Sequence, residues 1–277
     1  MGRVLAISSQ VARGHVGLSA IVPALQALGH EVIALPTILL SNHPGHPRFA
    51  GERVAPDLLR RMFDALESNR WLGEIDAVLT GYLPSAAHVA VACEIVTRVR
   101  TWNVRAIHLC DPVIGDDPKG VYIEHDAATA IRDTLLPGAD AVRLNAFELG
   151  WLTGTRIGDE LSAVSQARIL GRQTVIVSSV AARQGVLSNV LVPRSGIAMA
   201  CRVPQLDGVP NGTGDLLSAL LLGHALTDGA LGAAALSAAI SDLEDVVVGS
   251  HGASELRLVE ALRGLPSGRL IDAEEIP

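Results

Sequence analysis

Aromatic side chains are scarce in this chain, at 3% of 277 residues, so its interior has to be built from Leu, Val, Ile and Ala rather than from packed rings. Cysteine is scarce too: Cys93, Cys110 and Cys201 stand far apart, with no CxxC pair and no Cys/His spacing that encloses zinc. A disulfide framework and a zinc module are therefore excluded, and three buried thiols in a reducing compartment are expected. Blocks of Lys or Arg are missing and the formal net charge is −7, so the basic footprint of a nucleic-acid binder is absent and no such partner is expected. The most apolar stretch, Leu216 to Ile240, is interrupted by His224, Asp228 and several glycines, which predicts two buried helices and no membrane span. The first residues enter a strand-like run without a charged region, a long apolar region or a cleavage site, so a cytoplasmic protein is expected. No GxxxxGK[ST] occurs, which excludes a P-loop, and no GxGxxG follows the first strand, which counts against a dinucleotide-binding domain. With no linker, repeat or low-complexity tract, residues 1–277 read as one domain.

What is present is an alternation. Short β-branched runs at Arg3–Ser8, Glu31–Leu35, Asp76–Thr80, Arg105–Cys110, Asp140–Leu144 and Thr174–Ser178 predict strands. Between them, apolar residues at three- and four-residue spacing predict helices over Gly17–Leu28, Pro56–Ser68, Ala86–Arg100, His125–Leu136 and Glu160–Leu170. The alternation implies an α/β fold: a mostly parallel sheet between two helical layers. After Ser179 the pattern changes. Gly185–Val192 and Ile197–Val203 flank Pro193-Arg194-Ser195-Gly196 and predict a hairpin that gives the sheet an antiparallel edge. Helices then continue to about Leu265, and a polar, loosely held tail is expected beyond.

In a parallel sheet, ligands collect beyond the carboxyl ends of the strands. Polar residues gather there: Ser8-Ser9-Gln10, Thr80-Gly81-Tyr82, Asp111 through Asp116, Asn145 through Glu148, and Ser178-Ser179. Any one of these clusters is explained by loops and helix caps, but their recurrence at one rim points to a site. The sharpest element is Asn211-Gly212-Thr213-Gly214-Asp215, which leads into Leu216-Leu217-Ser218. Two glycines let backbone N–H groups converge at a helix start, forming a cradle for a phosphate. Asp215 is then either a favourable first-turn acid or the base that takes a proton from a hydroxyl attacking a phosphoryl group. Asp111, Asp116 and Glu148 are carboxylates suited to Mg²⁺, held directly or through water.

Several segments together resemble the ribokinase-like superfamily and, within it, the pyridoxal kinases, over most of the chain. They are Ser9-Gln10-Val11-Ala12-Arg13-Gly14-His15-Val16-Gly17, Thr37 with Ser41-Asn42-His43, Gly81-Tyr82-Leu83, Cys110 through Asp116, Asn145 through Leu149, Ser178-Ser179, and Gly212 through Asp215. The resemblance implies a ribokinase-like three-layer α/β/α fold and transfer of the ATP γ-phosphate to the 5′-hydroxymethyl group of pyridoxal, pyridoxine or pyridoxamine, in vitamin B6 salvage by a homodimer. Under it Asp215 is the base. Ser9, Thr37 and Tyr82 contact the pyridine ring, and the loop Ser41–Gly51 closes over the substrate. Asp111, Arg143, Asn145, Glu148, Ser178, Gly212, Thr213 and Gly214 surround the nucleotide, with Asp116 and Glu148 near Mg²⁺. The chain departs from the family pattern at Leu18, at Arg143-Leu144 in place of the usual Thr-Pro, and at Ser178. Arg143 either contacts a phosphate or blocks the nucleotide. The hydroxymethylpyrimidine kinases are the nearest alternative, followed by sugar kinases and by a low-activity relative that only binds vitamer or nucleotide. His43 is a candidate partner for the pyridine hydroxyl or for phosphate, His46 reads as an ordinary loop histidine, and Trp71, Trp102 and Trp151 read as packing residues.

Overall fold

Val4 and Ala6 face one side of the first strand and Leu5 and Ile7 the other, and all four are fully buried, so this strand is covered on both faces. The same two-sided burial organises the whole computed structural model, which describes residues 1–268 and 270–276. In chain order its elements are β1 (Arg3–Val11), α1 (Leu18–Ala27), β2 (Glu31–Leu40), β3 (Gly51–Arg53), α2 (Pro56–Ser68), β4 (Ala77–Thr80) and α3 (Ala86–Trp102). There follow β5 (Ile107–Cys110), β6 (Gly115–Asp116), β7 (Gly120–Val121), α4 (His125–Ala130), β8 (Ala141–Asn145), α5 (Ala146–Thr153) and α6 (Glu160–Ile169). The last are β9 (Thr174–Arg183), β10 (Val186–Pro193), β11 (Met199–Pro204), α7 (Thr213–Asp228), α8 (Ala233–Ser250), α9 (Leu258–Ala261) and β12 (Glu274–Glu275).

All strands except β6 and β7 form a 10-stranded sheet in the order β12-β11-β10-β9-β8-β5-β4-β1-β2-β3. The six from β9 to β2 run parallel. One aliphatic core joins this sheet to α2–α6, and the other joins it to α1 and α7–α9, giving three layers. From β1 the chain goes first to β2 on one side and then to β4 on the other. The switch point therefore lies between β1 and β4, and a crevice opens there beyond Ser8 and Thr80.

The structure corrects the sequence reading in several places. β2 runs through Pro36 to Leu40, and Gly51–Arg53 folds back on it antiparallel, so both edges of the sheet are antiparallel. Gly51 permits the return, because a Cβ there would stand 2.0 Å from the Leu39 carbonyl oxygen. β9 continues to Arg183 and pairs with β10, which adds a hairpin to the expected pairing of β10 with β11. The helix expected over His125–Leu136 is α-helical only to Ala130 and then passes into a π turn and a 3-10 turn. The tail is anchored rather than loose: β12 pairs with β11, and the Ile276 N–H donates to the Ala198 carbonyl at 2.9 Å. Arg269 and Pro277, in that same stretch, lie outside the described residues. Cys110 and Cys201 are buried as expected, whereas Cys93 is half-buried. No described helix is long and apolar enough to cross a membrane.

Candidate active site

α7 begins at Gly212, whose φ of 107° only glycine adopts readily; a Cβ there would lie 2.0 Å from the His15 carbonyl oxygen. The close approach seats the start of α7 against the turn that follows β1. No side chain caps this end, so the first amides of α7 remain available to an anion. Asp215 lies in the same first turn. Burial, and then the negative charge of Asp111, push its pKa up to about 6, while the Gly17 N–H and Arg143 pull the other way. A carboxylate so shifted is largely ionised at neutral pH and is a stronger base than an ordinary one.

Asp111, at the end of β5, is 3% exposed and accepts from Ser218 Oγ at 2.6 Å and from Arg143 Nη1 at 3.2 Å, both on Oδ2. Burial raises its pKa against the charge of Arg143 and the Ser218 hydroxyl. Its Oδ1 is buried without a hydrogen-bond partner. The Val113 amide nearby also favours the charged form, from outside hydrogen-bond geometry. Arg143 extends from β8 and donates from Nη2 to Ser178 Oγ at 2.8 Å. Its guanidinium lies against the cradle itself, since a Cβ on Gly214 would be 2.8 Å from Nη1.

Asn145 and Glu148 form a capping box at the start of α5. Glu148 is 1% exposed, and its oxygens accept from three amides, those of Ile114 at 2.8 Å, Gly115 at 3.4 Å and Asn145 at 2.9 Å. Asn145 Nδ2 donates to the Gly115 carbonyl at 2.8 Å. In this structure the pair holds the segment 113–115 in place, which sequence reasoning had not anticipated. That segment is strained: Val113, a β-branched residue, has a φ of 45°, and Ser179, beside Ser178, has 57°. Burial, and then Asp111, raise the Glu148 pKa to about 7. Tyr122, on the other side of the same segment, feels all four acids: desolvation first, and then Glu148, Asp111, Asp116 and Asp215, raise its pKa.

At the switch point the register of β1 against β2 shifts between Ser8 and Gln10, so Ser9 sits at a bulge with Thr37 on the facing strand. Ser8 Oγ accepts from the Tyr82 N–H at 3.1 Å, and a Cβ on Gly81 would strike that same hydroxyl. Thr37 is fully buried and donates to the Tyr82 carbonyl at 2.7 Å, so it fixes Tyr82 from beneath. The loop 41–50 is tied at its neck by the Ser41 N–H to the Ala50 carbonyl at 2.7 Å. Its tip reaches the α7 cradle, because a Cβ on Gly45 would be 3.6 Å from Asn211 Nδ2. A groove of about 300 Å³ lined by Cys93, Arg100, His108 and Leu135 contains none of these residues.

Among the described residues, no three His, Cys, Asp or Glu side chains are grouped to hold a metal alone. Asp111 Oδ1 and Asp116 Oδ1 are, however, both buried and unpartnered. Hard carboxylate oxygens with unused lone pairs fit a hydrated Mg²⁺ that takes its other ligands from phosphate and water. Ser218 is a site residue that sequence reasoning missed; the only signal was a serine inside the apolar run Leu216–Leu222.

A family model described as phosphomethylpyrimidine kinase matches residues 14–247. Among known proteins the chain is similar to the pyridoxal kinase of Leifsonia xyli subsp. xyli, with 37% identity over 94% of each chain. It is also similar to the pyridoxal kinase of Ovis aries, with 34% identity over 79% of this chain and 76% of that one. Among solved structures it matches pyridoxal kinase from Leishmania donovani in complex with ADP and pyridoxamine, with a TM-score of 0.93, 29% identity and 100% of both chains covered.

Proposed function

The chain belongs to the pyridoxal kinases of the ribokinase-like superfamily, and from that premise we propose that it carries a B6 vitamer and ATP across the β1/β4 crevice, with Asp215 as the base. It is an ATP-dependent kinase, and its reaction is phosphorylation of a B6 vitamer at the 5′-hydroxymethyl group. The observation that carries the assignment of the base is Asp215 itself: a half-buried carboxylate with its pKa raised to about 6, in the first turn of a helix whose leading amides are uncapped. Those amides, at Thr213 and Gly214, hold the phosphoryl group, and Asp215 takes the proton from the hydroxyl that attacks it in line. Arg143 and Ser178 line the nucleotide side together with Asp111. Asn145 and Glu148 serve the nucleotide through the 113–115 segment they fix. Ser9 and Tyr82 face the pyridine ring, and Thr37 supports Tyr82.

Mg²⁺, with Asp116 and Asp111 and with Glu148 behind them, would neutralise charge on the phosphates when bound. The chain is read as one domain acting in the cytoplasm as a homodimer. The matching family model bears the name of the phosphomethylpyrimidine kinases, so a hydroxymethylpyrimidine is the competing substrate.

The test is formation of phosphorylated product from ATP and Mg²⁺ with pyridoxal, pyridoxine and pyridoxamine, beside hydroxymethylpyrimidine and ribose. Turnover of the vitamers with kcat/KM above the other two supports the reading. Preference for hydroxymethylpyrimidine overturns it.

A further inference from the structure

Along β8, Val142 and Leu144 join the core under α2–α6, while Ala141 joins the core under α7. Arg143 alternates with them and so stands on the α7 face, opposite Ile176 of β9, on the side of the sheet where the aliphatic core that includes Leu216 and Leu220 lies. A guanidinium at such a position is costly unless it is paired and hydrogen-bonded. Its pairing is partial: Nη1 reaches Asp111 at 3.2 Å and Nη2 reaches Ser178 at 2.8 Å, but Nε is buried without a partner, as is Asp111 Oδ1. A pair kept only for stability would have its remaining donors and acceptors satisfied. This one leaves them open beside Gly214, where the phosphate cradle lies.

We propose that Arg143 is the fixed cation of the phosphate site: it neutralises Asp111, and its open N–H groups stabilise the phosphoryl group during transfer. The charge count around the site supports this. Asp111, Asp215, Asp116 and Glu148 all act on Tyr122, so a polyphosphate arrives in a field that is already negative. Lys119 is spoken for by Asp116, at 3.3 Å on the exposed side, which leaves Arg143 as the buried counter-charge among the residues described here. A small inorganic cation is the other general way to neutralise a buried carboxylate next to a phosphate. With a guanidinium tethered there, turnover does not depend on which monovalent cation the buffer contains.

The inference rests on the kinase reading above, and its test separates the two. Arg143→Ala and Arg143→Met are compared with the wild type in vitamer turnover and in ADP affinity by calorimetry, in tetramethylammonium, sodium and potassium buffers, with thermal unfolding as the folding check. The wild type is expected to turn over at similar rates in all three buffers. The variants are expected to lose roughly 10²–10³-fold in kcat, as on removal of one positioned charged donor. Arg143→Ala, with a cavity of the right shape, is expected to recover at least about tenfold on adding millimolar guanidinium, whereas the volume-matched Arg143→Met is not. Rates in either folded variant equal to or above the wild type, no rescue by guanidinium, or a wild type strongly activated by one alkali cation would each overturn the assignment. A wild type that binds ADP through Arg143 but phosphorylates no vitamer would instead strike the kinase reading and leave Arg143 in place.

Discussion

His46 Nε2 lies 2.8 Å from Glu255 Oε1, which joins the loop after β2 to the loop between α8 and α9. Glu255 also presses on the turn after β1, since a Cβ on Gly14 would be 2.5 Å from its Oε2. One carboxylate thus ties the loop after β2 to the loop between α8 and α9 and lies against the turn after β1, and His46, read from sequence as an ordinary loop residue, is one end of that tie. A partly exposed pair of this kind is worth about 0.5–1 kcal/mol, so Glu255→Gln or His46→Gln is expected to raise the vitamer KM about two- to fivefold. On the reading that this loop closes over the substrate and excludes water, ATP hydrolysis without vitamer should rise in parallel. Steady-state kinetics with and without vitamer measure both, and an unchanged ratio of hydrolysis to transfer would show that the loop closes without this pair.

The pH dependence follows from Asp215. A base must be ionised, and its pKa of about 6 predicts that kcat/KM falls with a slope of one as pH drops below 6 and is flat above it. Glu148→Gln should retain this limb, because its carboxylate meets amides rather than substrate. A pH–rate profile whose acid limb survives in Asp215→Asn would assign the limb to another group.

Stability should move against activity at the same residue. The folded pKa of Asp215 stands above its ordinary 3.8, so the protonated form is favoured by folding; that contribution is complete below about pH 4 and is lost as pH rises through about 6. Above pH 7 the wild type carries a destabilising charge that Asp215→Asn removes. The variant should therefore be more stable by about 1–3 kcal/mol at pH 8 and lose that advantage near pH 4. Urea unfolding at the two pH values reads the difference directly.

Glu148→Ala leaves buried amides at Ile114, Gly115 and Asn145 without an acceptor. The cost should be about 2–4 kcal/mol, and the strained Val113 should relax. Denaturation, together with the ADP affinity of the folded variant, tests this; a stability loss with unchanged affinity would detach the 113–115 segment from nucleotide binding.

The sequence was informative where one residue type has one local consequence. β-branched runs marked β1, β4, β5, β8 and β9, and Gly212-Thr213-Gly214-Asp215 marked the cradle, since glycine geometry and helix ends are short-range physics. It was silent where partners come from far along the chain. Nothing near Arg143 announces Asp111 and Ser178, and nothing in Leu216–Leu222 says that Ser218 reaches back to β5. The edge strands β3 and β12, at three and two residues, are too short to carry a periodic pattern and exist because a neighbouring edge was open. Glu148 shows the same limit in another form. Its residue type suited a metal ligand, and only the fold revealed that three amides claim it.

The most direct measurement is the single-turnover rate of pyridoxal phosphorylation by Asp215→Asn at saturating ATP, with ADP and vitamer affinities measured alongside. The account predicts a rate lower by roughly 10²–10⁴-fold with affinities close to the wild type, the loss expected for a positioned base. A rate within about threefold of the wild type in a folded, ligand-binding variant would contradict it, because the hydroxyl proton would then leave by another route.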